Sequence, residues 1–329
     1  MKKYKLVMPV LCAVLISGCF SLFARNMNFK SFAYILQVTN RFGLTRADRL
    51  NSIRSLDREL IILDYSENGD KESKWKKSEL SFLKNHGKTK VVAYLSIGEA
   101  ENYRNYWGAD WKVNSPAFLC AENENWKGNY KVRYWDKEWQ KIIFNYLDEI
   151  IEQGFDGVYL DIIDAFSFFE YDKDKKDWVD NKVNFMTNQT YRKDMIDFVI
   201  KIAEYARKKN SNFLIIPQNG TELLNNEEYL NTITTVGVES LFSRDNRKQR
   251  PGHTKQVLNN LNNLKEYGKT PLIIEYCNGY KIKRLLKDVS KKYPYTFLIT
   301  DRQLKSAGES WSYFSEVKPE PPANVSGTL

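Results

Sequence analysis

Eight short apolar runs punctuate this chain, and most stay apolar residue after residue instead of alternating with polar positions. A strand with only apolar side chains has to be covered on both faces, the condition of a parallel sheet wrapped in helices. The runs are Phe32 to Val38, Leu60 to Tyr65, Val91 to Ile97, Gly157 to Asp161, Phe213 to Pro217, Val236 to Leu241, Pro271 to Tyr276 and Tyr295 to Thr300. Segments of helical period separate them, clearest at Lys137 to Gln153 and Tyr191 to Lys208. Alternating eight times, strand and helix predict an α/β chain: a single-domain (β/α)8 TIM barrel with long loops on its C-terminal face. An open doubly wound sheet is the alternative. It usually has fewer strands and a Gly-rich first turn, and this chain has no such turn.

The runs share a second property. Most end on acids or amides: Asp64, Glu99 after Ser96-Ile97-Gly98, Asp161 with Asp164, Gln218-Asn219, Glu239, Glu275 and Asp301. Ionised groups are poor core residues because burying them without partners is costly. At the C-terminal ends of barrel strands, however, they converge on one mouth. A ring of carboxylates there suits a reaction run by two acids, one ionised and one held protonated, as in glycosidic bond cleavage. Each acid alone has a bland reading. Asp161 could cap the following segment, Glu239 could be a buried ion-pair partner, and Asp164 could be a supporting hydrogen-bond acceptor.

Two connections are long and follow strands, Glu99 to Asp136 and Phe166 to Thr187, and both are rich in aromatics. Trp107 and Trp135 are candidates for stacking on sugar rings, with loop anchoring the competing role. Tyr94, Tyr159 and Tyr276 could pack the core or touch sugar. Other chemistries lack their residues. The two histidines, His86 and His253, have no spaced partner for a zinc site or a Ser-His-Asp relay. No phosphate-binding GxxxxGK[ST] loop is present. The expectation is therefore no metal, no organic cofactor and no nucleic-acid partner.

The N-terminus reads as a leader. Lys2, Lys3 and Lys5 precede the apolar stretch Leu6 to Ile16, too short to remain as a membrane span, and Ile16-Ser17-Gly18-Cys19 resembles a bacterial lipobox. This predicts a signal peptide over 1–18, lipidation of Cys19, an anchored linker over 19–31, the barrel over 32–315 and a loose tail over 316–329. The protein would be exported and held to a membrane by lipid. Loss of the three leader lysines takes the formal charge from +9 to +6, so the mature chain stays basic while its inferred mouth is acidic. That contrast favours a cationic ligand in the cleft. Cys120 and Cys277 remain, free or paired.

Five stretches together resemble glycoside hydrolase family 114: YLSIGEAENYRNYW (Tyr94 to Trp107), VRYWDKEWQ (Val132 to Gln140), GFDGVYLDIIDAF (Gly154 to Phe166), PQNG (Pro217 to Gly220) and GVESLF (Gly237 to Phe242). The likeness runs in order from about Phe32 to Gln303. It implies an endo-α-1,4-polygalactosaminidase-like enzyme on a (β/α)8 barrel, with a galactosamine-containing polysaccharide as substrate and retention of configuration. It also implies that the Asp ending the fourth strand and the Glu ending the sixth are the catalytic pair. Those match Asp161, expected as nucleophile, and Glu239, expected as acid/base. Glu99 and Glu275 are the alternatives for the acid. Together with Asp64, Asp164, Gln218, Asn219, Asp301, Trp107 and Trp135 they form the expected substrate-binding set. A catalytically silent carbohydrate-binding barrel is the alternative function, and a lipoprotein scaffold holding a protein partner is a third.

Overall fold

The computed structural model describes residues 27–38 and 40–313. The expected leader, Cys19, residues 19–26 of the linker and the tail from 316 lie outside the described residues. Eight parallel strands form the barrel wall: β1 Phe32–Ile35, β2 Leu60–Leu63, β3 Lys90–Ser96, β4 Gly157–Asp161, β5 Leu214–Pro217, β6 Gly237–Glu239, β7 Leu272–Tyr276 and β8 Thr296–Thr300. They lie in sequence order. β1 to β5 form one hydrogen-bonded ladder and β6 to β8 another, and a parallel bridge between Gln218 and Gly237 joins the two. Each of the seven connections carries a helix: α1 Arg46–Ser55, α2 Lys77–Leu83, α3 Lys137–Gln153, α4 Tyr191–Lys209, α5 Glu227–Thr232, α6 Pro251–Glu266 and α7 Tyr280–Ser290. All eight predicted strands are present, each shifted by no more than three residues at either end.

The barrel closes at a seam between β8 and β1. Instead of an eighth helix, the described residues after β8 fold back as an antiparallel strand, β9 Glu309–Ser312, paired to β8. The Phe32 amide donates to Ser310 Oγ at 2.9 Å, the Leu36 amide donates to the Leu304 carbonyl at 3.0 Å, and the Thr296 hydroxyl donates to the Phe29 carbonyl.

Side chains along each strand alternate between two separate apolar layers, as the two-residue period of a strand requires. Phe32, Leu60, Val92, Tyr159, Leu214, Ile274 and Leu298 fill the inside of the barrel. Their strand neighbours Ala33, Ile61, Val91, Val158, Ile215, Ile273 and Phe297 pack outward under the helices. Gly237 is small for a reason. A Cβ there would lie 1.8 Å from the Tyr159 hydroxyl, so only glycine lets that tyrosine cross the lumen.

The two long connections are not structureless. Glu99–Glu101, Leu119–Asn123 and Trp126–Val132 make a three-stranded antiparallel sheet, and two small hairpins occupy residues 171–190. His86 and His253 are both exposed. Cys120 and Cys277 are free and buried, which settles their open pairing.

Candidate active site

Strand period decides which strand-end residues reach the mouth. Asp161 continues the inward series Gly157, Tyr159, and Glu239 continues from Gly237. Both side chains are half-buried. Each is held in the same manner, by a tyrosine from an adjacent strand. The Tyr94 hydroxyl, on β3, donates to Asp161 Oδ2 at 2.8 Å, and the Tyr276 hydroxyl, on β7, donates to Glu239 Oε1. The other oxygens are also taken. Ile162 N–H donates to Asp161 Oδ1 at 2.8 Å, and Asn219 Nδ2 donates to Glu239 Oε2 at 3.1 Å. Asn219 Oδ1 in turn accepts from the Glu239 amide at 3.0 Å, a reciprocal clamp between the ends of β5 and β6.

The turn that aims Asp161 is strained. Ile162, a β-branched residue, has φ +58°, a conformation non-glycine residues adopt only when the surroundings enforce it. Gly98 helps enforce it, since a Cβ there would come within 2.2 Å of the Ile162 carbonyl oxygen. Below the pair, Tyr34 and Tyr159 form a buried aromatic floor with ring centroids 5.0 Å apart. Burial, then the nearby carboxylates, raise the pKa values of Tyr34, Tyr94, Tyr159 and Tyr276, so all four remain neutral donors. Tyr94 and Tyr276 thus support the two acids, while Tyr159 packs in the inner layer. The Tyr159 hydroxyl and Gln218 Oε1 have no hydrogen-bond partner among the described residues.

Desolvation, reinforced by Glu239, pushes the Asp161 carboxyl to about 8. The Asp161 carboxyl therefore stays protonated through neutral pH. From sequence Asp161 is expected to rest ionised, whereas burial favours its protonated form. Asp164 stands exposed at the rim. Partial loss of hydration among the surrounding atoms raises its carboxyl to about 6; Lys131 opposes this, and Glu239 and Glu222 add to it.

A stability consequence follows. Asp161 has a folded pKa above its unfolded value of about 4, so the folded state binds its proton more tightly. Stability therefore falls as pH rises from about 4 to about 8. Asp161→Asn is expected to be more stable than wild type by about 1–2 kcal/mol at pH 8, with the difference gone near pH 4. Urea denaturation at both pH values measures it, and a gain of equal size at both would exclude this origin.

The remaining expected residues divide into three groups. Asp64, Gln218 and Asn219 reach the inner mouth, but Asp64 is locked in a buried ion pair with Arg104 at 2.7 Å. Glu99 is fully buried. Its Oε1 accepts from Asn123 Nδ2 at 2.8 Å and Lys131 Nζ at 2.5 Å, while Oε2 has no partner among the described residues. It already serves Lys131, which faces Asp164, so it borders the pit as an ion-pair partner. Glu275 does not reach the mouth. It shares the outward side of β7 with Ile273 and accepts from the Phe242 and Ser243 amides at 2.7 and 3.0 Å and from the Ser243 hydroxyl. That excludes it as the alternative acid. Asp301 follows the outward series Phe297, Ile299 and lines a cavity of about 490 Å³ whose wall includes Tyr276.

Both tryptophans are held in aromatic clusters. Trp107 packs on Trp111 and Tyr130, each with centroids 5.0 Å away, and Trp135 packs on Tyr134, Phe169 and Tyr191. Arg104 is a residue of the site's surroundings that sequence reasoning missed. It is buried, pairs with Asp64 and with Glu101 Oε2 at 2.7 Å, and lies 5.8 Å from the Tyr94 ring centroid. Its signal was available, a lone arginine inside the aromatic-acidic stretch Glu99 to Trp107.

Comparison with known proteins bears on this geometry. The sequence profile of glycoside hydrolase family GH114 matches residues 57–316. Protein MJ1477 of Methanocaldococcus jannaschii is 36% identical over 301 residues, covering 88% of this chain and 81% of its own. A Thermotoga maritima protein is 36% identical over 239 residues, 72% of this chain and 70% of its own. Among solved structures, the glycoside hydrolase domain of PelA from Pseudomonas aeruginosa superposes with a TM-score of 0.63 at 16% identity, covering 87% of this chain and 100% of that domain. Aspergillus fumigatus Ega3, solved with galactosamine, gives 0.60 at 18% identity, covering 85% and 94%. At such identities the two structures speak for the barrel fold.

Proposed function

The chain belongs to glycoside hydrolase family GH114, and from that premise we propose that it cleaves α-1,4-linked galactosamine-containing polysaccharide within the chain, with retention of configuration. One observation carries the reading: two half-buried carboxyls from β4 and β6 stand on the inward side of the strand ends, each held by a tyrosine of a neighbouring strand, and Glu239 is near enough to raise the Asp161 pKa. Asp161 attacks the anomeric carbon as the glycosidic bond breaks, and Glu239 gives its proton to the departing oxygen. The glycosyl ester on Asp161 is then opened by water, whose proton returns to Glu239. This sequence needs Asp161 ionised and Glu239 protonated when substrate is bound. A sugar ammonium close to Asp161 would favour its ionised form. The galactosamine held by Ega3 is such a sugar, and the excess of acids around Lys131 here suits a cation.

Incubation of the chain from about Asn26 onward with partly deacetylated galactosamine polymer tests the reading. Oligosaccharides of several lengths early in the reaction are expected. Monosaccharide alone would argue against internal cleavage, and no products from this or related polymers would remove the substrate class. Export and anchoring at Cys19 belong to the same proposal, supported by the basic, apolar and lipobox-like order of the first nineteen residues. Membrane retention that is lost in Cys19→Ser is the expected behaviour.

A further inference from the structure

A second cavity, of about 470 Å³, opens on the outer side of the same barrel face. It lies between the two insertions that also border the pit. The three-stranded sheet carries Glu99 and Lys131 at the pit and, in the loop before its second strand, Asn114 at the cavity. The short helix Phe166–Glu170 leads from Asp164 to Phe168 and Phe169 in the cavity wall. Its character is the reverse of the pit's. Trp135, Phe168, Phe169, Phe185 and Tyr191 supply aromatic surface, Arg133 and Lys173 supply positive charge, and none of the described residues lining it is acidic.

Part of this lining faces water. Phe185 is 86% exposed and Met186 71%, on a hairpin whose base is tied down by Asn184 donating to Asp194 Oδ2 at 2.7 Å. Large apolar side chains presented on an ordered support beside a cavity mark a contact site. Aromatic faces next to a free amide (the Asn114 side chain) suit a sugar ring bearing an acetamido group, whose methyl is apolar and whose amide hydrogen-bonds. Two cations without an acid disfavour an ammonium.

We propose that this cavity is an accessory carbohydrate-binding site for N-acetylated hexosamine units, so that the protein reads a mixed polymer with two sites of opposite charge preference. The pit takes a de-N-acetylated unit, and the aromatic cavity holds an acetylated stretch of the same chain. This rests on the amino-sugar substrate proposed above, and it adds to it a requirement on the pattern of acetylation.

The test uses short N-acetylgalactosamine and fully deacetylated galactosamine oligosaccharides, titrated calorimetrically into the intact protein and into Phe168→Ala/Phe185→Ala. Both side chains are exposed, so the double variant should fold, which its melting temperature checks. The wild type is expected to bind the acetylated oligomer, and the double variant at least tenfold more weakly. On the mixed polymer KM should rise severalfold with kcat little changed. Lys173→Glu should strengthen binding of the deacetylated oligomer. Undiminished binding of the acetylated oligomer in the double variant overturns the proposal. So does binding to anionic phospholipid vesicles that the variant loses while no sugar binds, which would make the surface a lipid contact. If acetylated oligomers bind through Phe168 and Phe185 but no galactosamine polymer is cleaved, the accessory site stands and the substrate reading falls. Cleavage with unaltered binding does the opposite: the substrate stands and the accessory site falls.

Discussion

Asp161→Asn and Glu239→Gln are each expected to lower kcat on galactosamine polymer by about 10⁴-fold, with KM changed far less. Each replacement removes a group that the proposed mechanism requires to exchange a proton or form a bond, while leaving most of its local contacts. An asparagine oxygen can still accept from Tyr94 or the Ile162 amide. Losses of this size with retained ligand binding separate a hydrolase from a silent carbohydrate-binding barrel, which has no turnover to lose. Roles are assigned by azide. With Asp161→Gly and an activated glycoside, azide entering the vacated face should give a glycosyl azide of inverted configuration. With Glu239→Ala, azide attacking the ester on Asp161 should give the retained one. The opposite pairing of products would interchange nucleophile and acid, in keeping with the burial that draws the resting proton to Asp161. Unchanged turnover in either variant would take that carboxyl out of the reaction.

The wall of the barrel and the two acids on it are legible in the sequence. Continuous apolar runs specify strands covered on both sides, and β4 Gly157–Asp161 emerges as expected to the residue. The acids are harder to sort. Asp161, Glu239, Glu275 and Asp301 look alike as strand-end carboxyls, yet the first two stand on the inward parity and the last two on the outward. Counting in twos from Tyr159 or Ile274 separates them, because a strand turns successive side chains to opposite faces. The tyrosine supports follow the same count: Tyr94 from Val92 and Tyr276 from Ile274. Residue type alone offers them only packing or sugar contact as roles. The Glu99 to Val132 sheet is hidden for a different reason. Its strands are short and mostly polar on one side, and a buried acid such as Glu99 is sustained by Lys131 and Asn123, partners that only the folded sheet brings near. The seam strand β9 Glu309–Ser312 has no apolar run to announce it.

Arg104→Met is expected to destabilise the protein by about 3–5 kcal/mol, a fall in melting temperature on the order of 10 °C. The guanidinium is the one cation bonded to Asp64 and Glu101 among the described residues, and these acids are 7% and 3% exposed, so its removal leaves two buried carboxylates uncompensated. Desolvated charges without partners are far more damaging than the loss of a surface ion pair. Tyr146 also gives up the bond that its hydroxyl accepts from Arg104 at 3.2 Å. Lysine is a poor substitute here because a single ammonium cannot reproduce the fork that meets Asp64 through Nη1 and Glu101 through Nε. The companion variant Asp64→Asn/Glu101→Gln/Arg104→Met removes the charges together and should recover most of the lost stability. Activity should not return with it. Arg104 lies against the ring of Tyr94, the donor to Asp161, so the triple variant keeps the fold while loosening the support of the carboxyl proposed as nucleophile. A triple variant as unstable as Arg104→Met would show that packing, not charge, carries the effect, and one with full activity would uncouple this cluster from the reaction.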